Sequence, residues 1–191
     1  MTEEEQPSYI FKICLLGQGA VGKTCIARRL CFDKFEMNTK LTIGIDFYTY
    51  NLPIQIDGEK SFVRLSIWDF GGQTQFRQLF TYYIHGANGI YMCFDLSNFQ
   101  TLAGLEWWYD KLLKFGPTDC PRILIGTKND LVNDMEIKKK NKLIIQRFME
   151  RHNEETFCRT SSKTNQNIME IFKVLTTRIL DFNNFEYDKI L

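Results

Sequence analysis

The chain has 191 residues, 44% of them hydrophobic and 25% charged, with a formal net charge of +1. That composition fits a globular protein with enough chain for one well-filled core, and the near-zero charge excludes a general nucleic-acid binder. No apolar run is long enough to span a bilayer, and the acidic start Met1-Thr2-Glu3-Glu4-Glu5 excludes a signal sequence.

The apolar run Tyr9–Leu16 predicts a strand, and Cys25–Leu30 predicts a helix. Between them, Gly17-Gln18-Gly19-Ala20-Val21-Gly22-Lys23-Thr24 fits G-x-x-x-x-G-K-[ST]. Glycines admit backbone turns closed to other residues, so successive N–H groups can point at one anion. Lys23 adds a positive charge for the outer phosphates of a nucleotide, and Thr24 a hydroxyl for Mg²⁺. The phosphate would sit on a helix N-terminus, where the dipole favours negative charge. Residues 32–41 read as loop. Ile45–Ile56 and Ser61–Trp68 read as two extended arms joined at Asp57-Gly58, and Pro53 marks the first arm as an edge strand. Residues 75–84 predict a short irregular helix. Gly89–Phe94 predicts a buried strand closed by Asp95, and Leu102–Phe115 a helix stopped by Gly116-Pro117. A strand from Arg122, a charged helix over Glu136–His152, a short strand over Thr156–Arg159 and a helix over Asn167–Phe182 complete the pattern. Alternating strand and helix imply an α/β fold, with a largely parallel sheet covered on both faces and ligands at the carboxyl ends of its strands.

Several motifs fall at such strand ends. In Trp68-Asp69-Phe70-Gly71-Gly72-Gln73, Asp69 can hold Mg²⁺ through water, the Gly72 N–H can meet a γ-phosphate, and Gln73 can orient an attacking water. Upstream, Leu41-Thr42-Ile43-Gly44 offers a second hydroxyl to the metal. In Ile125-Gly126-Thr127-Lys128-Asn129-Asp130, the Asp130 carboxylate can accept from both N1–H and the N2 amine of guanine. Adenine presents no such pair, so Asp130 selects guanine. Thr160-Ser161-Ser162-Lys163 can present backbone N–H groups to the guanine O6.

These motifs, in this order from Ile10 to Phe182, closely resemble the Ras superfamily of small GTPases. The resemblance implies a P-loop NTPase fold, a mostly parallel six-stranded sheet with one antiparallel edge strand and helices on both faces. It implies a flexible extension over residues 1–9, a GTP-binding domain over 10–182 and a short tail over 183–191. It assigns residues 17–25, with Cys25 the last, to the phosphate loop, and Phe35 to the face of the guanine ring. Thr42 becomes the threonine of the first switch, meeting Mg²⁺ and the γ-phosphate, and Asp69, Gly72 and Gln73 begin the second switch. Thr127, Lys128, Asp130, Ser161, Ser162 and Lys163 contact the base. Catalysis is assigned to Gln73, Lys23 and Thr42, and the metal to Thr24, Thr42 and, through water, Asp69. GTP or GDP with Mg²⁺ is the implied ligand, and slow hydrolysis the implied reaction. An exchange factor, an activating protein and effectors are the implied partners. Gly19 leaves space for an arginine finger brought by the activating protein, because no arginine lies in the segment Glu36-Met37-Asn38-Thr39-Lys40 and the family does not use the position of Arg77.

Within the superfamily, Thr42-Ile43-Gly44-Ile45-Asp46-Phe47 and the segment Tyr83–Ile90 are most similar to Rab. Phe47, Trp68 and Tyr83 match the Rab aromatic triad beneath the partner surface; plain core packing is the alternative. Thr127 replaces a common Asn, as in Rho-like members, which implies weaker base affinity. Phe70-Gly71 is similar to Arf, and Ala20 to Rho. No cysteine follows Cys158, so the usual prenyl acceptor is missing, and Thr2 disfavours myristoylation. A cytoplasmic location, with membrane recruitment only through partners if at all, is the expectation. Lys138-Lys139-Lys140-Asn141-Lys142 reads as a solvated helix face. The six cysteines form no C-x-x-C pair and read as reduced thiols rather than metal ligands. Trp107, Trp108 and Tyr109 read as core, and His85 and His152 lack partners at metal spacing. Two rivals remain: a guanine-nucleotide-binding module with little or no hydrolysis, which Gln73 opposes, and an ATP-using phosphotransferase, which Asp130 opposes.

Overall fold

A computed structural model describes residues 6–37, 40–117, 119–132 and 134–191. The acidic start at residues 1–5, and Asn38 and Thr39 of the segment before Thr42, lie outside the described residues.

Strand β1 (Tyr9–Leu16) leads into helix α1 (Lys23–Phe32), then the hairpin β2 (Ile45–Ile56) and β3 (Glu59–Phe70). A 3-10 turn (Thr74–Phe76), α2 (Gln78–Tyr83), β4 (Gly89–Asp95), α3 (Gln100–Ala103) and α4 (Glu106–Phe115) follow. The chain closes with β5 (Arg122–Thr127), a 3-10 turn (Asn129–Leu131), α5 (Met135–His152), β6 (Phe157–Arg159), α6 (Ile168–Phe182) and β7 (Lys189–Ile190). The sheet order is β6-β5-β4-β1-β3-β2-β7. The first five of these strands run parallel, and β2 and β7 are antiparallel to their neighbours.

The sheet therefore has seven strands, not the expected six. The seventh comes from the stretch expected to be a plain tail. Asp188 N donates to Gln55 O at 2.8 Å and Leu191 N to Pro53 O at 2.9 Å, so main-chain groups rather than a side-chain pattern make the pairing. Because Pro53 turns its carbonyl toward β7, its nitrogen also faces outward, where β3 needs no donor. At the hairpin tip Asp57 (φ 51) and Gly58 (φ 80) both take positive φ, the geometry of a two-residue turn that matches strand twist. The predicted helix over 102–115 is two pieces broken at Gly104-Leu105. A Cβ on Gly104 would lie 1.9 Å from Gln18 Nε2, so the glycine makes room for that side chain.

One face of the sheet packs against α1 and α6 through Ile26, Phe172, Leu175 and Ile179. The other packs against α2, α4 and α5 through Phe80, Trp108, Leu112 and Phe148. β4 is buried along its whole length, as the central strand of a doubly covered sheet must be. Trp107 is half-buried and Trp108 fully buried, as their adjacency on a helix requires. Within the lysine run, Lys139 and Lys142 are exposed and Asn141 is buried; the side chains of Lys138 and Lys140 lie outside the described residues. Register sets Leu15 opposite Asp69 and Asp95 opposite Thr127, so the carboxyl ends of four parallel strands meet on one rim.

Candidate functional site

That rim holds a cavity of about 400 Å³. Its floor is the loop after β1. Gly17 (φ 145) passes so close to β4 that a Cβ would fall 2.2 Å from Cys93 O, which only glycine tolerates. Gly22 (φ 105) caps α1 without any side-chain cap, and no acidic residue stands in the first turn. The positive end of a ten-residue helix thus faces the cavity unneutralised. Ala20 holds a left-handed φ of 62 with a Cβ, a conformation costing about 1–2 kcal/mol.

Lys23 is 5% exposed and folds back over the loop, donating to Gly17 O at 3.0 Å and Gln18 O at 2.8 Å. Burial pushes its pKa down, and the nearby Asp69 carboxylate opposes that shift. A cation with so little solvent, held by neutral carbonyls, is poised for an anionic ligand.

Beside Lys23 three side chains converge. The hydroxyl oxygens of Thr24 and Thr42 lie 2.9 Å apart, and both donate to Asp69 Oδ2, at 2.5 and 3.2 Å. Adjacent vertices of an Mg²⁺ octahedron with bonds of about 2.1 Å are about 3.0 Å apart, so the two hydroxyls are spaced as neighbouring ligands. Asp69 is fully buried, and its Oδ1 has no hydrogen-bond partner among the described residues. Burial raises its pKa, while Lys23 and the two threonine hydroxyls lower it. An orphaned buried carboxylate oxygen beside two hydroxyls fits a hydrated divalent cation. No cluster of three or more His, Cys, Asp or Glu stands among the described residues, which leaves a site built on hydroxyls, one carboxylate and ligand oxygens.

The segment after β3 is wedged between two loops. Gly71 N donates to Gly44 O at 2.8 Å, and a Cβ on Gly72 would lie 2.2 Å from Gln18 C and 2.3 Å from Gly19 N. Both positions need glycine for the close backbone approach. Gln73 follows on the cavity wall, half-buried, its Cγ 3.7 Å from where a Cβ on Gly19 would stand. Arg77, farther on, stacks its guanidinium 4.8 Å from the Trp107 ring centre.

At the other end of the cavity, Asp130 sits in the turn after β5, and the Ser161 hydroxyl donates to its Oδ1 at 2.6 Å. The Thr127 hydroxyl lies within hydrogen-bond reach of both Val21 O and Phe94 O. It ties the base end to the phosphate loop through backbone carbonyls. Lys128, in left-handed conformation (φ 55), pairs its ammonium with Asp95 Oδ2 at 2.7 Å.

Thus Gly19, Ala20, Gly22, Lys23, Thr24, Cys25, Phe35, Thr42, Gly72, Gln73, Thr127, Lys128, Asp130, Ser162 and Lys163 all line the cavity. Gly17, Gln18, Val21 and Ser161 do not; they lie behind its wall, Val21 and Ser161 buried. Asp69 is likewise behind the wall, reached through Thr24 and Thr42. Sequence reasoning missed Glu36, Met37, Lys40, Leu41 and Leu131 on the wall, and the Asp95 partner of Lys128. Asp95 carried a signal, since it closes a strand otherwise wholly apolar.

Phe47 meets Trp68 edge-on at 4.6 Å, and Trp68 lies 6.1 Å from Tyr83. Phe47 is 61% and Tyr83 45% exposed, so these rings form an aromatic surface and not a sealed core. His152 stacks on Tyr109 at 4.0 Å, and the backbone carbonyl of His85 accepts from Lys12. No disulfide joins the cysteines. No helix among the described residues is long and apolar enough to cross a membrane.

The Ras family model matches residues 12–181. The human Ras-related protein Rab-8B is 33% identical over 174 residues, 90% of this chain and 79% of that protein. Rab-5B of Plasmodium falciparum is 33% identical over 168 residues, covering 88% and 77% of the two chains. Rab-19 of Xenopus laevis is 30% identical over 185 residues, covering 97% and 84%.

Proposed function

The chain belongs to the Ras family, as a Rab-like small GTPase that binds GDP and GTP, hydrolyses GTP and acts as a molecular switch in signalling or trafficking; on that premise we propose how its residues divide the work. The observation that carries the proposal is the meeting of Thr24, Thr42 and the orphaned Asp69 beside a buried lysine, at one end of a cavity with Asp130 at the other.

The amides of residues 17–25 and the Lys23 ammonium hold the phosphates. Thr24 and Thr42 would hold Mg²⁺ directly and Asp69 through water, and the metal bound there would supply charge neutralisation at the phosphate oxygens. Gln73 orients the attacking water in line with the γ-phosphate, and Thr42 and the Gly72 N–H hold that phosphate. Asp130 reads N1–H and the N2 amine of guanine, Ser161 fixes its carboxylate, and Phe35 covers the ring. Hydrolysis removes the group that Thr42 and Gly72 grip, and the two loops relax.

Family membership implies regulators and effectors in general. We assign nucleotide release to an exchange factor and acceleration to an activating protein whose arginine enters past Gly19, raising turnover by about 10³–10⁵-fold as in the Ras example. Effectors dock on the Phe47–Trp68–Tyr83 surface. We place the protein in the cytoplasm, with recruitment to membranes, if it occurs, through those partners. The decisive test is single-turnover hydrolysis of bound GTP: slow turnover that depends on Mg²⁺ and on Gln73 supports this division, whereas stable GTP retention with no hydrolysis favours a binding module.

A further inference from the structure

Arg29 stands in the last turn of α1, outside the motifs above, and its side chain is only 14% exposed. Its Nε donates to Ser162 O at 2.8 Å, and one terminal nitrogen to Lys163 O at 3.4 Å. The other terminal nitrogen donates to Asp33 O and Asp33 Oδ1, each at 2.9 Å. Asp33 is the left-handed residue (φ 51) that ends α1, and its own N–H returns to Arg29 O at 3.0 Å. Phe35, on the cavity wall, follows two residues later.

One guanidinium therefore joins the two segments that flank the guanine end of the cavity: the loop carrying Ser162 and Lys163, and the stretch from α1 to Phe35. We propose that Arg29 is a positioning residue that sets how long the guanine nucleotide stays bound, by holding both segments through backbone carbonyls. The inference rests on the nucleotide assignment above. Three features favour the carbonyls as the operative contacts. The Asp33 carboxylate is 80% exposed, where an ion pair contributes little. Ser162 is itself buried, so its carbonyl bond is screened less. The planar fork of arginine reaches several acceptors at once, which a lysine ammonium on its flexible stem cannot match. Among the described residues the Arg29 guanidinium bonds to Ser162, Lys163 and Asp33 and not to Gln73, Thr42 or the phosphate loop, so its action should spare the chemical step.

The test is release of a fluorescent GDP analogue, with Mg²⁺, from wild type, Arg29→Gln, Arg29→Lys and Asp33→Asn, beside single-turnover GTP hydrolysis. Arg29→Gln should release nucleotide about tenfold faster, the loss of one charge-assisted hydrogen bond. Arg29→Lys, keeping one carbonyl contact, should fall between. Asp33→Asn, which removes the charge while asparagine still tolerates the left-handed φ, should stay within about twofold of wild type, as expected for an exposed ion pair. Hydrolysis of GTP already bound should be unchanged throughout. Should Arg29→Gln not fold, Arg29→Lys decides alone: faster release with normal hydrolysis supports the proposal, and unchanged release overturns it. Unchanged release in Arg29→Gln, hydrolysis falling in step with release, or an Asp33→Asn effect as large as that of Arg29→Gln would each overturn it. A wild-type protein that takes up no guanine nucleotide sinks the functional assignment itself, and this proposal with it.

Discussion

Gln73 stands beside Gly19 on the cavity wall, where its Oε1 accepts a long 3.4 Å hydrogen bond from Gln75 Nε2. Gln73→Leu should leave GTP binding intact and slow single-turnover hydrolysis at least about tenfold, the loss of a group that acts in the transition state; full wild-type turnover would contradict the role. On the proposed reading, Asp130 carries the base preference. Asp130→Asn should weaken GDP binding and favour xanthine nucleotides, because an amide can donate where guanine also donates and xanthine accepts. Equal GDP affinity in that variant would remove Asp130 from base reading. The thiols give a third test. Burial pushes Cys14 and Cys93 from an ordinary 9.0 up to about 12. The thiolate is the reactive form, so neither should be alkylated at pH 8 in the folded protein, and both should be in denaturant, as read by mass spectrometry. The sign for stability follows. The unfolded chain loses these protons first, so stability is full below about pH 9 and falls as pH rises toward about 12.

At the scale of elements, the two wedged glycines and the seventh strand make separate demands. Gly72→Ala would drive a methyl into the backbone of Gln18 and Gly19, forcing the segment after β3 away from the phosphate loop. Hydrolysis should fall sharply while GDP binding, which needs no γ-phosphate contact, persists; normal hydrolysis would show that the close approach is dispensable. Removing residues 188–191 takes away two backbone bonds to β2 and the bond from Gly58 N to Asp188 Oδ2. That loss should destabilise the protein by about 1–3 kcal/mol and lower Tm by several degrees. The first six strands were legible in the sequence because hydrophobic pattern and turn residues marked them: Asp57-Gly58 fixed the hairpin, and an unbroken apolar run marked β4. β7 was not legible, since two residues paired through main-chain atoms leave no side-chain pattern. The break at Gly104 was hidden for a related reason: it depends on Gln18, which is close only in the fold. The motif residues that meet around the cavity were legible because the chemistry proposed for them demands particular residue types at fixed spacing. Arg29 was not, because its acceptors are carbonyls 133 and 134 positions away, which no residue type announces.

For the molecule as a whole, the parallel sheet gathers the ends of β1, β3, β4 and β5 on one rim, so one ligand couples loops otherwise far apart in sequence. Thr42 and Gly72 both line the cavity, and the Phe47–Trp68–Tyr83 surface lies on the hairpin and the α2 end that their loops join. On the proposed reading, a change of phosphate state at the rim would be carried to that surface. Bound nucleotide should also stabilise the fold by mass action, about 2.7 kcal/mol at a hundredfold excess over Kd. All of this depends on the cavity holding a guanine nucleotide with Mg²⁺ and on Asp130 choosing the base. The direct measurement is equilibrium binding of fluorescent GDP to purified, folded protein with Mg²⁺, challenged by excess ATP and by excess GTP. The account predicts micromolar or tighter GDP binding that GTP displaces and ATP does not; absence of GDP uptake, or displacement by ATP as effective as by GTP, would contradict it.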